Sequence, residues 1–392
     1  MNKNIQTPEI QNFINENLRT ELISLLLKPL NLEGVTNKEI AEQIEAKSRC
    51  RDKLPLWFGT ANIYYPNKLN IEQTSSQTTA LYKAGRINGT TLLDMTGGFG
   101  VDSYYFSLNI GQVHHCEMDR ELSAIADYNF QVLGRTNIRT HAEDGIDFLK
   151  NSDVDFDWVY IDPSRRNDLK GKVFLLSDCI PNVPDHLGTI LTKAKNIMIK
   201  TSPLLDLSAG LGELRCVREI HIVAVNNEVK EILWILERAY KNGVLIKTVN
   251  LSGTAKEKFS FSLDEEKCAL SNYSDPMEYL YEPNPAILKS GAFKTVGTRY
   301  NLLKLHDHSH LYTNDHLLEF PGRRFRIVKT IPFNKKEIQK LEIKKANVTV
   351  RNFPISVAEI RKKFKIKDGG EVYLFFTTNP EGEKIVVYCH KL

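Results

Sequence analysis

From Thr91 onward the chain alternates short apolar runs with longer amphipathic stretches, and this alternation limits its fold more than any other feature. The runs are TLLDM (91–95), QVHHCEM (112–118), NIRTHAE (137–143), FDWVYID (156–162), KNIMIKT (195–201) and EIHIVAV (219–225). Between them lie stretches long enough for helices, such as RELSAIADYNFQVL (120–133). Apolar strands separated by amphipathic helices predict a parallel sheet covered on both faces, an α/β fold of Rossmann-like type. One segment, NEVKEILWILER (227–238), fits helix and strand equally by period.

The first run ends in Asp94 and leads into Thr96, Gly97, Gly98 and Gly100, followed by the helix-like VDSYYFSL. A strand that enters a glycine-rich turn at a helix start lets a ligand approach backbone N–H groups with no Cβ in the way. The turn therefore predicts a small charged cofactor. A dinucleotide fingerprint would place its last glycine where this chain has Ser103. Glu117 follows about 20 residues later, at the end of the second run, where a carboxylate accepts hydrogen bonds from both ribose hydroxyls; Asp119 is the alternative. Asp144, after the third run, is positioned to meet an adenine amino group, with Glu143 as alternative. The fourth run closes on Asp162-Pro163-Ser164-Arg165-Arg166.

Around this core the chain divides into a helical N-terminal segment (1–72), a cofactor-binding domain (73–262), a connector with a small module (263–319) and a basic C-terminal domain (320–392). The N-terminal part carries ELISLLLKPL and NKEIAEQIEAK. Thr74 to Gln77 has the capping-box pattern ahead of TTALYKAGRI. DPMEYLYEPNPAILKSGAF (275–293), with three prolines, reads as an irregular connector. The last domain reads strand, helix, strand, helix, strand, strand, which predicts a compact α+β sandwich in the ferredoxin-like style.

Net charge is only +4, but it is uneven. Residues 321–392 carry 17 Lys and Arg against 7 Asp and Glu, a net of +10, so the rest holds 35 against 41, a net of −6. A basic module on a mildly acidic one is expected of an appended nucleic-acid-binding domain; a solvated lysine-rich surface is the plain alternative. Six cysteines without a C-x-x-C pair, no apolar run of membrane length and no secretory signal together predict a cytoplasmic protein with reduced thiols. His306, His308 and His310 form an H-x-H-x-H string, which predicts a polar loop in preference to a zinc site. Trp57, Tyr64 and Tyr65 read as packing aromatics, with base stacking as the alternative.

The glycine turn, the two acidic positions and Asp162-Pro163, in that order, resemble the class I S-adenosylmethionine-dependent methyltransferases over roughly residues 75–260. The strings IDPSRR, YEPNPAILKSGAF, HSHLYT and FPGRRF are similar to those of a bacterial methyltransferase family carrying a THUMP-like C-terminal domain. The resemblance implies S-adenosylmethionine as cofactor, held at its methionine end by Asp94, Thr96, Gly97, Gly98 and Gly100, at the ribose by Glu117 and at the adenine by Asp144. It also implies that Asp162, Pro163 and Ser164 stand beside the transferable methyl group, that Arg165 and Arg166 meet substrate phosphates, and that the substrate is a structured RNA such as tRNA or rRNA. No metal is required. Ser164 and Arg165 depart from the proline and aromatic common in the fourth-strand motif. The competing readings are a methyltransferase of protein or small molecules, a nicotinamide-linked oxidoreductase, and an RNA-binding protein without catalysis.

Overall fold

The computed structural model describes residues 1–27, 32–165 and 175–392. By contacts it separates into two units: 1–218 with 233–241, and 219–232 with 242–392.

The first unit is built on five parallel strands: β1 (Gly89–Asp94), β2 (Ile110–Cys116), β3 (Ile138–His141), β4 (Phe156–Ile161) and β5 (Ala194–Thr201). Their order is β5-β4-β1-β2-β3, with register pairs such as Leu93↔His114, Leu93↔Val159 and Tyr160↔Met198. The strand order reverses at β1, between β2 on one side and β4 on the other. In an open α/β sheet this is where the carboxyl ends of the strands leave a crevice for a ligand. β4 reads FDWVYI with all but one residue buried, as expected of a central strand covered on both faces. The helices after β1, β2 and β3 are α1 (Val101–Phe106), α2 (Arg120–Val132) and α3 (Gly145–Asn151). Asp119 caps α2 through Glu121 N and Leu122 N, and Asp144 caps α3 in the same way.

The N-terminal segment is helical, with its longest helix (Asn37–Lys53) started by a Thr36–Glu39 capping box. The helix predicted after Thr74 runs Gln77–Ala84 and is capped by Ser76, not Thr74. Trp57, Tyr64 and Tyr65 are all buried. Trp57 packs against Phe99, Tyr104 and Tyr105, while Tyr64 exchanges backbone bonds with the Asn129 amide at 2.9 and 2.8 Å. These rings are therefore structural and present no face for stacking a base.

The second unit holds β6 (Val217–Val225) from Glu219 on, and β8 (Leu245–Ser252), which run parallel, and β9 (Ala255–Ser262), which forms a hairpin with β8. The ambiguous segment 227–238 is a strand, β7 (Glu228–Glu237), which belongs to the second unit up to Ile232 and to the first from Leu233 on; its middle is buried on both faces, which erases the alternation that would have identified it.

A seven-stranded sheet completes this unit, in the order β11-β12-β10-β13-β16-β15-β14. Its strands are β10 (Tyr279–Pro283), β11 (Leu303–Lys304), β12 (Tyr312–Asn314), β13 (Gly322–Pro332), β14 (Lys345–Val350), β15 (Lys367–Thr378) and β16 (Lys384–Lys391). The expected connector is thus partly ordered: Tyr279–Pro283 is an interior strand paired to β12 and β13, with Pro283 at its very end, where no further ladder bond is lost. One face of the sheet buries Ala346, Leu374, Phe376 and Val386 with Ile338 and Ile360 from the helices Lys335–Gln339 and α4 (Val357–Phe364). The other face buries Leu280, Leu311, Phe325 and Phe375.

Among the described residues no helix is long and apolar enough to cross a membrane. All six cysteines are free thiols.

Candidate functional site

Asp94, the last residue of β1, is buried, and its two oxygens brace the turn that follows. Oδ1 accepts from Thr96 N at 3.1 Å, and Oδ2 accepts from Ser103 Oγ at 2.6 Å. Burial raises the Asp94 carboxyl to about 7, with Asp102 and Asp162 adding to the effect and the Ser103 and Thr96 bonds opposing it. Ser103 Oγ also lies 3.0 Å from His115 Nδ1. The His115 ring is fully buried, and burial, helped by His141, lowers its pKa to about 3, so it is neutral.

That ring explains Gly97. A Cβ on Gly97 would lie 2.1 Å from His115 Cε1, and one on Gly100 would lie 2.4 Å from Phe130 Cζ. Gly98 and Gly100 also have left-handed backbone, with φ of 56° and 83°, which favours glycine. The turn is seated tightly on its own sheet, with Gly97 N donating to Cys116 O at 2.8 Å.

Glu117 sits under the same turn. Its Oε2 accepts from Gly98 N and its Oε1 from Asp119 N, both at 2.9 Å. Each carboxylate oxygen has two lone pairs, so both oxygens retain capacity for a diol. Asp144 Oδ1 accepts from Ile146 N at 2.8 Å and Asp147 N at 3.1 Å. Glu143 is exposed. Gly145, which the sequence did not single out, packs so close to the turn that its Cβ would be 2.4 Å from Met95 O. The Asp144-Gly145 pair was its only signal in the sequence.

The fourth-strand motif is tied to the turn: Asp162 N donates to Thr96 Oγ1 at 2.7 Å. Its carboxylate is not bare, because Lys200 at the end of β5 donates to Oδ2. Ser164 is exposed, and its Oγ donates to Ile180 O at 3.4 Å. The Arg165 backbone pairs with Cys179 in a two-residue ribbon, and Arg166 lies outside the described residues. Asp94, Thr96, the three glycines, Glu117, Asp144 and Asp162 thus converge at the carboxyl ends of β1 to β4.

Beneath them is a buried ionic group that sequence reasoning did not find. Lys83 Nζ lies 3.2 Å from Asp102 Oδ1 and donates to Ser75 Oγ at 2.9 Å. Ser75 Oγ and Tyr160 OH donate to Asp102 Oδ2 at 2.7 and 2.8 Å. Burial alone would raise the Asp102 carboxyl, but Lys83, Lys200 and the two hydroxyls outweigh it and the net shift is downward. The partners come from positions far apart in the chain, so no local pattern announces them.

The histidine string lies in a turn between β11 and β12, so its rings do not share one side of a strand. His306 Nδ1 lies 3.0 Å from Asn352 Nδ2, and His310 stacks on Phe293 with ring centroids 3.6 Å apart. Among the described residues no group of three or more His, Cys, Asp or Glu side chains is arranged to hold a metal.

The fold has counterparts among known proteins. Residues 322–391 match the model of a THUMP domain-like family, and residues 279–321 that of a ferredoxin-like domain. A crystal structure named "putative methyltransferase from Porphyromonas gingivalis W83" is 33% identical, covers 98% of this chain and 97% of its own, and superimposes with a TM-score of 0.88. An rRNA methylase from Streptococcus thermophilus (13% identical; 41% of this chain and 94% of that one; TM-score 0.31) is far more distant. So is M. capricolum TrmK in complex with S-adenosyl-homocysteine (16%; 45% and 71%; TM-score 0.30). No curated protein matches the sequence.

Proposed function

The chain belongs to the bacterial class I methyltransferase family with a THUMP-like C-terminal domain, and from that premise we propose that it is a cytoplasmic enzyme that methylates a base nitrogen in structured RNA, tRNA or rRNA, with S-adenosylmethionine as donor. An exocyclic amine is the favoured acceptor. The observation that carries the reading is the junction between donor cradle and acceptor motif: the Asp162 N–H rests on Thr96 Oγ1, one residue before Gly97.

The residues present fit the donor. Gly97 and Gly100 let the turn seat directly on His115 and Phe130, a Cβ on Gly98 would meet nothing closer than 4.0 Å, and Glu117 is fixed by two N–H groups at the end of β2. In this reading Asp94, Thr96, Gly97, Gly98 and Gly100 hold the methionine end, Glu117 the ribose and Asp144 the adenine. Bound there, S-adenosylmethionine supplies an activated methyl group on a sulfonium. The protein's part is alignment, which lowers the barrier through proximity. Asp162 and the Pro163 carbonyl accept the N–H groups of the acceptor amine and aim its lone pair, and Ser164 borders the same position. Acceptors fixed in this way also favour the positive charge that develops on the nitrogen. Arg165 and Arg166 neutralise neighbouring phosphates. The four segments 1–72, 73–262, 263–319 and 320–392 then serve as support, donor domain, linking module and RNA-binding tail.

Mass spectrometry of nucleosides from cells with and without the gene tests the reading directly. One methylated base should be missing from the RNA of cells lacking the gene and should return when the purified protein and S-adenosylmethionine are added to that RNA. Identical nucleoside profiles would sink it.

A further inference from the structure

We infer that Lys200 sets the charge at the mouth of the glycine turn: held against Asp162, its ammonium keeps that carboxylate from binding a cationic methyl donor far more tightly than the neutral thioether product. This rests on the donor reading above and deepens it.

Ile161 and Ile199 are the last paired positions of β4 and β5, and Asp162 and Lys200 are the residues that follow them. Side chains at matching positions of neighbouring parallel strands point to the same face, so the register itself brings the two together. Lys200 Nζ donates to Asp162 Oδ2, with the Lys200 side chain 14% and the Asp162 side chain 32% exposed. The Asp162 backbone is fixed on Thr96, which keeps the carboxylate beside the turn.

Charges crowd this spot. Asp94 and Asp102 lie buried below it, and Lys83 answers Asp102 at 3.2 Å. Lys200 also acts at a distance on Asp102, and Asp162 on Asp94. Deprived of Lys200, Asp162 would be an unbalanced anion at the entrance. The sulfonium donor and its thioether product differ by one positive charge, so such an anion favours the donor. For a unit charge pair at the entrance and an effective dielectric of about 20, that preference would be roughly tenfold or more. It would also work against turnover, since charge leaves the sulfur in the transition state and the excess binding falls on the ground state. Lys200 is thus a positioning residue that acts through Asp162.

The test is calorimetric binding of S-adenosylmethionine and S-adenosylhomocysteine to the full chain, read as the ratio of the two affinities. That ratio cancels any general loosening of the site, because the two ligands differ only in the methyl group and its charge. Lys200→Met should raise the preference for S-adenosylmethionine about tenfold, and Lys200→Arg should leave it within twofold. Asp162→Asn should lower it, and the double variant Asp162→Asn/Lys200→Met should return close to the wild-type ratio. An unmoved ratio in Lys200→Met overturns the inference, as does an equal shift in Lys200→Arg. If Lys200→Met does not fold, an unmoved ratio in Asp162→Asn overturns it. A wild-type protein that binds neither ligand removes the donor reading and the inference together; one that binds both, with ratios insensitive to charge at 162 and 200, removes the inference alone.

Discussion

The glycine turn and the basic C-terminal sheet, the two regions proposed to meet donor and RNA, are built by opposite means. At the turn nearly every polar group is committed: Asp94 to Thr96 and Ser103, Glu117 to Gly98 and Asp119, and Gly97 pressed against a neutral histidine. The turn is set by backbone shape, and a single methyl group on Gly97 or Gly100 would collide with His115 or Phe130. At the C-terminal domain, Lys344, Lys345, Lys365 and Lys367 cluster where β14 and β15 begin and α4 ends, all of them exposed. Lys344 O accepts from Lys367 N at 2.9 Å, and Lys345 and Lys367 are register partners. Charge placed so loosely attracts a phosphate backbone without reading its sequence. The first region should therefore fail abruptly when altered, and the second should weaken by degrees.

The comparison breaks most clearly at the acceptor motif. Asp162→Ala should lower single-turnover methyl transfer to bulk RNA from gene-deleted cells by roughly a hundred- to a thousandfold at saturating donor, the range seen when one fixed polar group is lost from a transition state. A loss under tenfold would refute the assigned role. Next, Gly97→Ala should weaken S-adenosylmethionine binding at least tenfold by calorimetry, since overpacking of about 1–3 kcal/mol must be relieved by moving His115 or the turn.

The basic domain should respond more gently. Lys344→Glu, Lys345→Glu and Lys367→Glu together should reduce RNA affinity about tenfold at low salt. They should also flatten the slope of log affinity against log salt by roughly 0.7–0.9 for each phosphate left without its cation. An unchanged slope would move the RNA surface elsewhere. Charge reversal is a cleaner probe than removal of the tail from Pro321, because Phe325 and Phe375 share a core with Leu280 and Leu311.

The smallest effect concerns pH. The Asp94 carboxyl is raised to about 7 in the folded chain, above its unfolded value of about 3.9. The native state therefore binds the extra proton between those values, and Asp94 contributes stability that is lost as pH rises toward and through 7. Thermal melting should show wild type losing a few degrees relative to Asp94→Asn between pH 5 and pH 8. Parallel curves would mean that Asp94 stays ionised throughout.

Much of this was legible in the sequence, and what was not shares a physical cause. The parallel strands, the turn and Asp162-Pro163 are local patterns whose meaning lies in a few consecutive residues. Lys200 meets Asp162 only through the register of two strands 38 positions apart, and Lys83 meets Asp102 only after a helix has packed on α1. His115 looked like one more strand residue until the turn folded over it. β7 escaped because a strand buried on both faces loses its alternation, and β10 escaped because prolines around it suggested irregularity. The tail's charge was visible as a sum, whereas its clustering depends on two parallel strands beginning side by side.

The buried group of Ser75, Lys83, Asp102 and Tyr160 has a consequence for how the domain opens. It joins the entry to one helix, the helix itself, α1 and the central strand β4 through contacts that exclude water. Releasing the helix or α1 alone would leave a charge uncompensated in the interior, and releasing Ser75 or β4 would strip the Asp102 carboxylate of a hydrogen bond. The backbone amides of 77–84, 101–106 and 156–161 should therefore exchange with deuterium in concert, as a single cooperative unit, and the cradle they support should be either fully formed or fully lost.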